Sequence, residues 1–176
     1  DDETGIADLK GPPNDVRIIA QALQTRGVEN IVLLSDGIDG APRPTRNAIL
    51  ETIAAVNDGL SEGDFVYLHM SGHGTQQKDV NGDETDGLDE VFLPADTAQA
   101  TPGTGLIRNA IVDDEIGSAV AAMRAKGANV WLVMDSCNSG SGLRAGASTI
   151  ADRYVDPALL GAGAVPRPGP NNGAGD

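Results

Sequence analysis

Apolar residues recur along this chain in two rhythms. Short continuous runs, Ile31–Leu34, Phe65–Met70 and Val130–Met134, have the length and composition of buried strands. Between them apolar residues return every three or four positions. Val16, Ile19, Ala20 and Leu23 share one helical face, with Asn14-Asp15 as the cap and Gly27 as the stop. Thr45 caps a second helix, which turns Ile49, Ile53 and Val56 inward and ends at Gly59. Asp113 or Asp114 caps a third, carrying Ile116, Val120 and Met123 up to Gly127, and a short apolar segment surrounds Val91-Phe92-Leu93. Strands alternating with helices imply βαβ crossovers, so the pattern predicts an α/β fold with a mainly parallel sheet and helices on both faces.

The ends fit this pattern less well. Residues 1–13 contain no strand to precede the first helix, and from Ala158 onward the chain turns to Gly, Ala, Pro and Asn. The expected organisation is one domain over 1–157 followed by a linker or disordered tail over 158–176, the whole reading as a piece of a longer protein.

Composition narrows the partners. The 176 residues carry 26 acidic and 12 basic side chains, a formal charge of −14, which disfavours nucleic acid and anionic membrane surfaces and favours cations or basic substrates. No stretch approaches the length of a membrane span and no signal peptide opens the chain, so a soluble, cytoplasmic protein is expected. The single cysteine, Cys137, excludes an internal disulfide.

Candidate chemistry lies where two of the apolar runs end. Ser71-Gly72-His73-Gly74 follows Phe65–Met70, and Asp135-Ser136-Cys137-Asn138-Ser139-Gly140 follows Val130–Met134. The C-terminal edge of a parallel sheet is where open α/β folds build their sites. A thiol and an imidazole on neighbouring strand ends are the minimum set for a cysteine nucleophile with a general base. A lone Cys after a strand also reads as a small buried hydrophobe, and a lone His there as structural. Small Gly and Ser neighbours at both exits argue for the site.

Further segments carry a resemblance. Pro13-Asn14-Asp15, Asn30–Leu34, Pro44–Leu50, His69–Gly74, Asp83–Glu90, Ile111–Ile116 and Asp135–Gly140 stand in the order and spacing of the metacaspases and their bacterial relatives. Over roughly residues 10–142 the chain resembles these caspase-like cysteine peptidases of the peptidase C14 group. The resemblance implies a caspase-like three-layer sandwich, with the present chain as its large-subunit-like part. It implies Cys137 as nucleophile, His73 as general base, and the N–H groups of Gly74 and Cys137 as the oxyanion hole. No third member orients the imidazole, and that role stays empty. Glycine at 72 and 74 suits a close approach of backbone to the scissile peptide. His69, the other histidine, reads as structural.

By the same resemblance Asp15, Ser71 and Asp135 line the pocket for the residue before the cleaved bond. Two carboxylates there imply cleavage of protein or peptide substrates after Arg or Lys. Asp15 also reads as a plain helix cap. Calcium-dependent family members place their ion where the acidic loop meets a later helix, which implies Asp89, Asp113 and Asp114 as Ca2+ ligands, the alternative being a solvated acidic turn. A further family carboxylate falls on Arg144, which removes a ligand. The loop 79–90 mimics an EF-hand at Asp79, Asn81, Asp83 and Glu90, but Glu84 replaces the required glycine and flanking helices are missing. Arg144, Arg153 and Arg167 are candidate self-cleavage sites, and a monomer is expected. The alternative to a peptidase is a non-catalytic calcium-responsive or adaptor module of the same fold.

Overall fold

The computed structural model describes residues 4–136 and 153–163. Its elements run α1 (Gly11–Thr25), α2 (Arg46–Gly59), β1 (Phe65–Ser71), β2 (His73–Lys78), β3 (Leu88–Leu93), β4 (Ile111–Val112), α3 (Asp113–Ala125) and β5 (Asn129–Asp135), then a 3-10 turn at Pro157–Leu160.

The parallel part is the pair β1–β5, in register from Phe65–Asn129 to Ser71–Asp135. Strand alternation sends Val66, Leu68 and Met70 to one face, where they meet Ile49 and Ile53 of α2, Ile116 and Met123 of α3, and Phe92 in the main apolar core. The opposite face carries Tyr67, His69 and Ser71, and Ser71 bonds to Asp15 of α1. Helices therefore cover both faces of this pair. The other edge of β5 has no partner strand among the described residues, and Trp131, Leu132 and Val133 are exposed there.

A second sheet, antiparallel in the order β2-β3-β4, extends the fold beyond the parallel pair. Strand β2 has no apolar run to announce it: His73-Gly74-Thr75-Gln76-Gln77-Lys78 is polar, yet Thr75, Gln76 and Gln77 are buried. They tolerate burial because each side chain finds a partner. Thr75 Oγ1 donates to the Val155 carbonyl, Gln76 Nε2 to Glu90 Oε1 at 3.1 Å, and Gln77 Oε1 accepts from the Ile107 N–H at 3.0 Å. A second apolar cluster of Val91, Leu93, Ile107, Ala110, Val155 and Leu160 packs beside this sheet. The segment 153–160, beyond the large-subunit-like pattern, thus contributes buried side chains.

Three expectations change. The run Ile31–Leu34 forms no ladder; it lines a cavity of about 1020 Å³ shared with α1, α2 and β1, and a strand without a hydrogen-bonded neighbour is not a strand. Helix α1 begins at Gly11 rather than after Asn14-Asp15, because Pro12 and Pro13 suit a first helical turn, whose N–H groups lack partners anyway. Asp15 is therefore inside the helix and free for another task. Helix α3 is capped from Val112, whose N–H donates to Glu115 Oε2 at 3.2 Å, so Asp113 and Asp114 occupy the first turn. The Thr45 cap stands as expected, accepting from the Ala48 N–H at 3.2 Å. Arg46 joins α2 to α3 through Glu115, with Nη1 2.8 Å from Oε2, and holds that carboxyl below its usual range.

The turn from β1 into β2 depends on Gly72. A Cβ there would sit 2.9 Å from the ring of buried Phe92, closer than real contacts allow, so packing against Phe92 requires this glycine. Gly72→Ala is expected to cost about 1–3 kcal/mol by overpacking. Urea unfolding checks this, and Phe92→Leu in the same chain should recover part of the loss.

Candidate active site

Parallel register places Ser71 and Asp135 side by side at the C-terminal end of the β1–β5 pair. Asp15, one turn into α1, comes down onto them: Ser71 Oγ donates to Asp15 Oδ2 at 3.0 Å. The three residues that the family resemblance assigns to one pocket therefore meet in space. Between the two carboxylates lies the guanidinium of Arg153. Its Nη2 is 2.7 Å from Asp15 Oδ2, and its Nη1 is 2.8 Å from both Asp135 Oδ2 and Ser71 Oγ. A planar cation with a fork of donors is the partner such a pair of carboxylates fits.

His73 opens β2 beside this pocket. Both ring nitrogens face main-chain carbonyls, Nε2 that of Ala7 at 2.8 Å and Nδ1 that of Arg153 at 3.1 Å. A neutral imidazole has one proton for these two acceptors. Given to Ala7, it fixes the ring and leaves the Nδ1 lone pair facing the pocket. The Ala7 carbonyl thus holds the imidazole ring in place. A carbonyl group has no side-chain signature, so no motif could have revealed it. The Gly74 N–H, one expected oxyanion donor, points to the Arg153 carbonyl at 3.0 Å. Cys137, Asn138, Arg144 and Arg167 lie outside the described residues.

His69 lies within β1 with Nδ1 3.4 Å from the Tyr67 hydroxyl and Nε2 buried without a partner in the described structure. Burial pushes its pKa down, which keeps the ring neutral and agrees with a structural role.

The acidic loop closes the β2–β3 hairpin, so strands and not helices flank it, and the EF-hand likeness ends there. Asp79 organises it, its carboxylate accepting the N–H groups of Asn81, Gly82 and Glu84. Carboxylate oxygens gather within 4.8 Å in two sets, Asp79-Asp83-Asp89 and Glu84-Glu90-Asp113. The three expected Ca2+ ligands are divided: Asp89 is in the first set and Asp113 in the second. Asp114 is in neither, accepting instead from Asn81 Nδ2 at 2.7 Å. Burial, followed by repulsion from neighbouring carboxylates, raises the pKa of Asp89; burial and then Asp114 raise that of Asp113. All-oxygen donors carrying uncompensated negative charge suit a hard divalent cation. These acidic groups fit a metal ion.

Comparisons with known proteins bear on the family and the fold. The metacaspase, peptidase C14 domain pattern matches residues 3–145. Metacaspase-1 of Mycosarcoma maydis is 34% identical over 139 residues, covering 77% of this chain and 33% of that protein. Metacaspase-3 of Arabidopsis thaliana is 35% identical over 137 residues, covering 76% and 36%. The crystal structure of a Geobacter sulfurreducens protein superposes with a TM-score of 0.54 at 25% identity, over 82% of this chain and 47% of that one. The fold and site define a caspase-like α/β sandwich. The chain belongs to the metacaspase family, and it spans about a third of the length of these two relatives. No helix among the described residues is long and apolar enough to cross a membrane.

The acidic loop yields a stability prediction. Folding raises the Asp89 and Asp113 carboxyls above their ordinary value near 3.8, so the folded chain binds protons more tightly than the unfolded one. Metal-free stability therefore falls as pH rises from about 4 through the raised values. Asp89→Asn should raise the metal-free Tm at pH 7 by about 2–4 °C, as expected for roughly 1 kcal/mol in a chain of this size. Calorimetry at pH 4 and pH 7 checks it, and the gain should shrink at the lower pH.

Proposed function

We propose that this chain is the catalytic portion of a cysteine endopeptidase that cuts peptide bonds after Arg or Lys. The observation that carries the reading is the meeting of Asp15, Ser71 and Asp135 around a guanidinium, next to His73. A substrate arginine would be held by the same carboxylates, and an acidic side chain repelled.

In this reading Cys137 loses its proton to His73 and attacks the scissile carbonyl carbon. The oxyanion is held by the N–H groups of Gly74 and Cys137. Collapse breaks the C–N bond, and the imidazolium gives its proton to the leaving amine. Water, deprotonated by His73, then hydrolyses the thioester and regenerates the thiol. The Ala7 carbonyl keeps the ring aligned through both transfers.

Calcium is the cation we propose for the acidic loop, with Asp89, Asp113 and Asp114 as ligands by family resemblance. Bound there, it would neutralise repulsion between carboxylates and stiffen the hairpin that begins with His73. We further propose one caspase-like domain through residue 157, acting as a monomer in the cytoplasm on basic-residue-containing proteins or peptides. The tail over 158–176 then starts from the turn packed by Leu160. Self-processing after Arg144, Arg153 or Arg167 belongs to the same reading. Intact mass on incubation with calcium tests it, and an unchanged mass over hours counts against it.

Fluorogenic peptides ending in Arg, Lys or Asp, offered with and without calcium, test the whole proposal. Cleavage after Arg and Lys, absent with Asp and lost in Cys137→Ala, is the expected result. Asp135→Asn should lower kcat/KM for the Arg peptide about 10- to 100-fold, the equivalent of a lost charge-assisted bond of roughly 1.5–3 kcal/mol. Absence of cleavage by this chain and by the full-length protein would favour a non-catalytic calcium-responsive or adaptor module.

A further inference from the structure

We infer that Arg153 is a resident occupant of the basic-residue pocket, supplied by the chain itself, and that substrate enters only when Arg153 withdraws. The inference rests on the proposed function for what the pocket recognises, and deepens it by naming how access is controlled.

Recognition of a residue before a cleaved bond has two halves, a side chain in its pocket and a carbonyl on the oxyanion donors. Arg153 fills both. Its guanidinium spans Asp15, Ser71 and Asp135, which are the three pocket residues, and Nη1 also donates to the Asp135 carbonyl. Its own carbonyl accepts from the Gly74 N–H at 3.0 Å and lies 3.1 Å from His73 Nδ1. An ordinary surface ion pair accounts for the first half only. The side chain is four-fifths covered, at 20% exposure. Gly11 makes room for it: a Cβ there would lie 3.2 Å from Nη2.

The backbone around Arg153 behaves as an added strand. Tyr154 bridges Gly74 in parallel, and the Val155 N–H donates to the Gly74 carbonyl at 3.0 Å. A main-chain peptide laid along a strand edge is a common mode of peptide recognition. Thr75 Oγ1 holds the Val155 carbonyl, and Val155, Pro157 and Leu160 are buried beyond it. Arg153 therefore stands on an anchored base, so that its local concentration at the pocket is high. An intrachain ligand of this kind competes with any arginine arriving from solution, and apparent affinity falls by the fraction of chains whose pocket is open. It also occupies the base, because the Arg153 carbonyl stands 3.1 Å from His73 Nδ1, the nitrogen that would take the Cys137 proton.

Benzamidine, a flat amidinium cation, reads pocket occupancy without any cleavage. Titrated calorimetrically into the Cys137→Ala chain, it should bind at least about tenfold more tightly once Arg153→Ala is added, since the competing cation is gone. With Cys137 intact, Arg153→Ala should lower KM for a peptidyl-arginine substrate by a similar factor and change kcat much less. Equal benzamidine affinity in the folded Arg153→Ala chain and its parent would overturn the inference. If circular dichroism shows that variant unfolded, Arg153→Lys decides. Its single ammonium cannot span both carboxylates, so affinity must rise about threefold or more, and no rise overturns the inference. Tighter benzamidine binding with no peptide cleavage by either chain would keep the occupant and discard the peptidase. Equal affinities and equal KM with active enzyme would do the reverse.

Discussion

Two carboxylates and one guanidinium set the arrangement of everything near the site. Asp15 belongs to α1, Asp135 to the end of β5, and Arg153 to the segment that runs along β2. Removing the cation from this group would leave two like charges sharing one hydroxyl neighbour, Ser71. A chain of formal charge −14 has few positive side chains to place there. In the proposed reading a cation fills this pocket, so an internal and an external arginine would compete for the same two carboxylates.

That demand also explains why α1 sits where it does. The helix contributes no fully buried side chain, so apolar packing alone does not fix it. Beside it lies the large cavity bordered by Leu33, Leu34, Val66 and Leu68. The bonds of Asp15 to Ser71 and Arg153 supply a directed attachment that a loosely packed amphipathic face does not. Burial of apolar area holds α2 and α3 instead, where Ile49, Ile53, Ile116 and Met123 interlock over β1.

The contrast shows what a sequence can disclose. Helices α2 and α3 and strands β1 and β5 were legible because a continuous core repeats its apolar residues at the period of each element. Asp15, Ser71 and Asp135 were named together through the family resemblance, and the structure brings the three together. Strand β2 was not: burial of Thr75, Gln76 and Gln77 is compensated by partners far along the chain, and no local pattern encodes partners. Asp15 looked like a cap because Asn14-Asp15 precedes an apolar face, whereas the two prolines before it open the helix earlier. Arg153 was visible only as a candidate self-cleavage site, since its partners Asp15, Ser71 and Asp135 stand on other elements and no local pattern encodes them. Ile31–Leu34 misled in the opposite sense, being apolar enough for a strand yet without a neighbour to pair with.

Strand β2 finally connects the two acidic regions. His73 is its first residue and pairs with Leu93, while Gln77 near its far end pairs with Asp89 of the acidic loop. The same strand carries the Arg153–Val155 segment through Gly74 and Thr75. Charge neutralised at the loop would act on one end of a ladder whose other end carries His73 and Arg153. Buried, hydrogen-bonded β structure has little freedom to absorb a displacement locally, so the hairpin is a contiguous physical link between the regions. The loop carboxylates concentrate negative charge with no ion-paired cation among the described residues, whereas the pocket carboxylates are compensated from within the chain by Arg153. In the proposed reading, a cation bound at the loop would act on the same strand that holds His73 and carries Arg153.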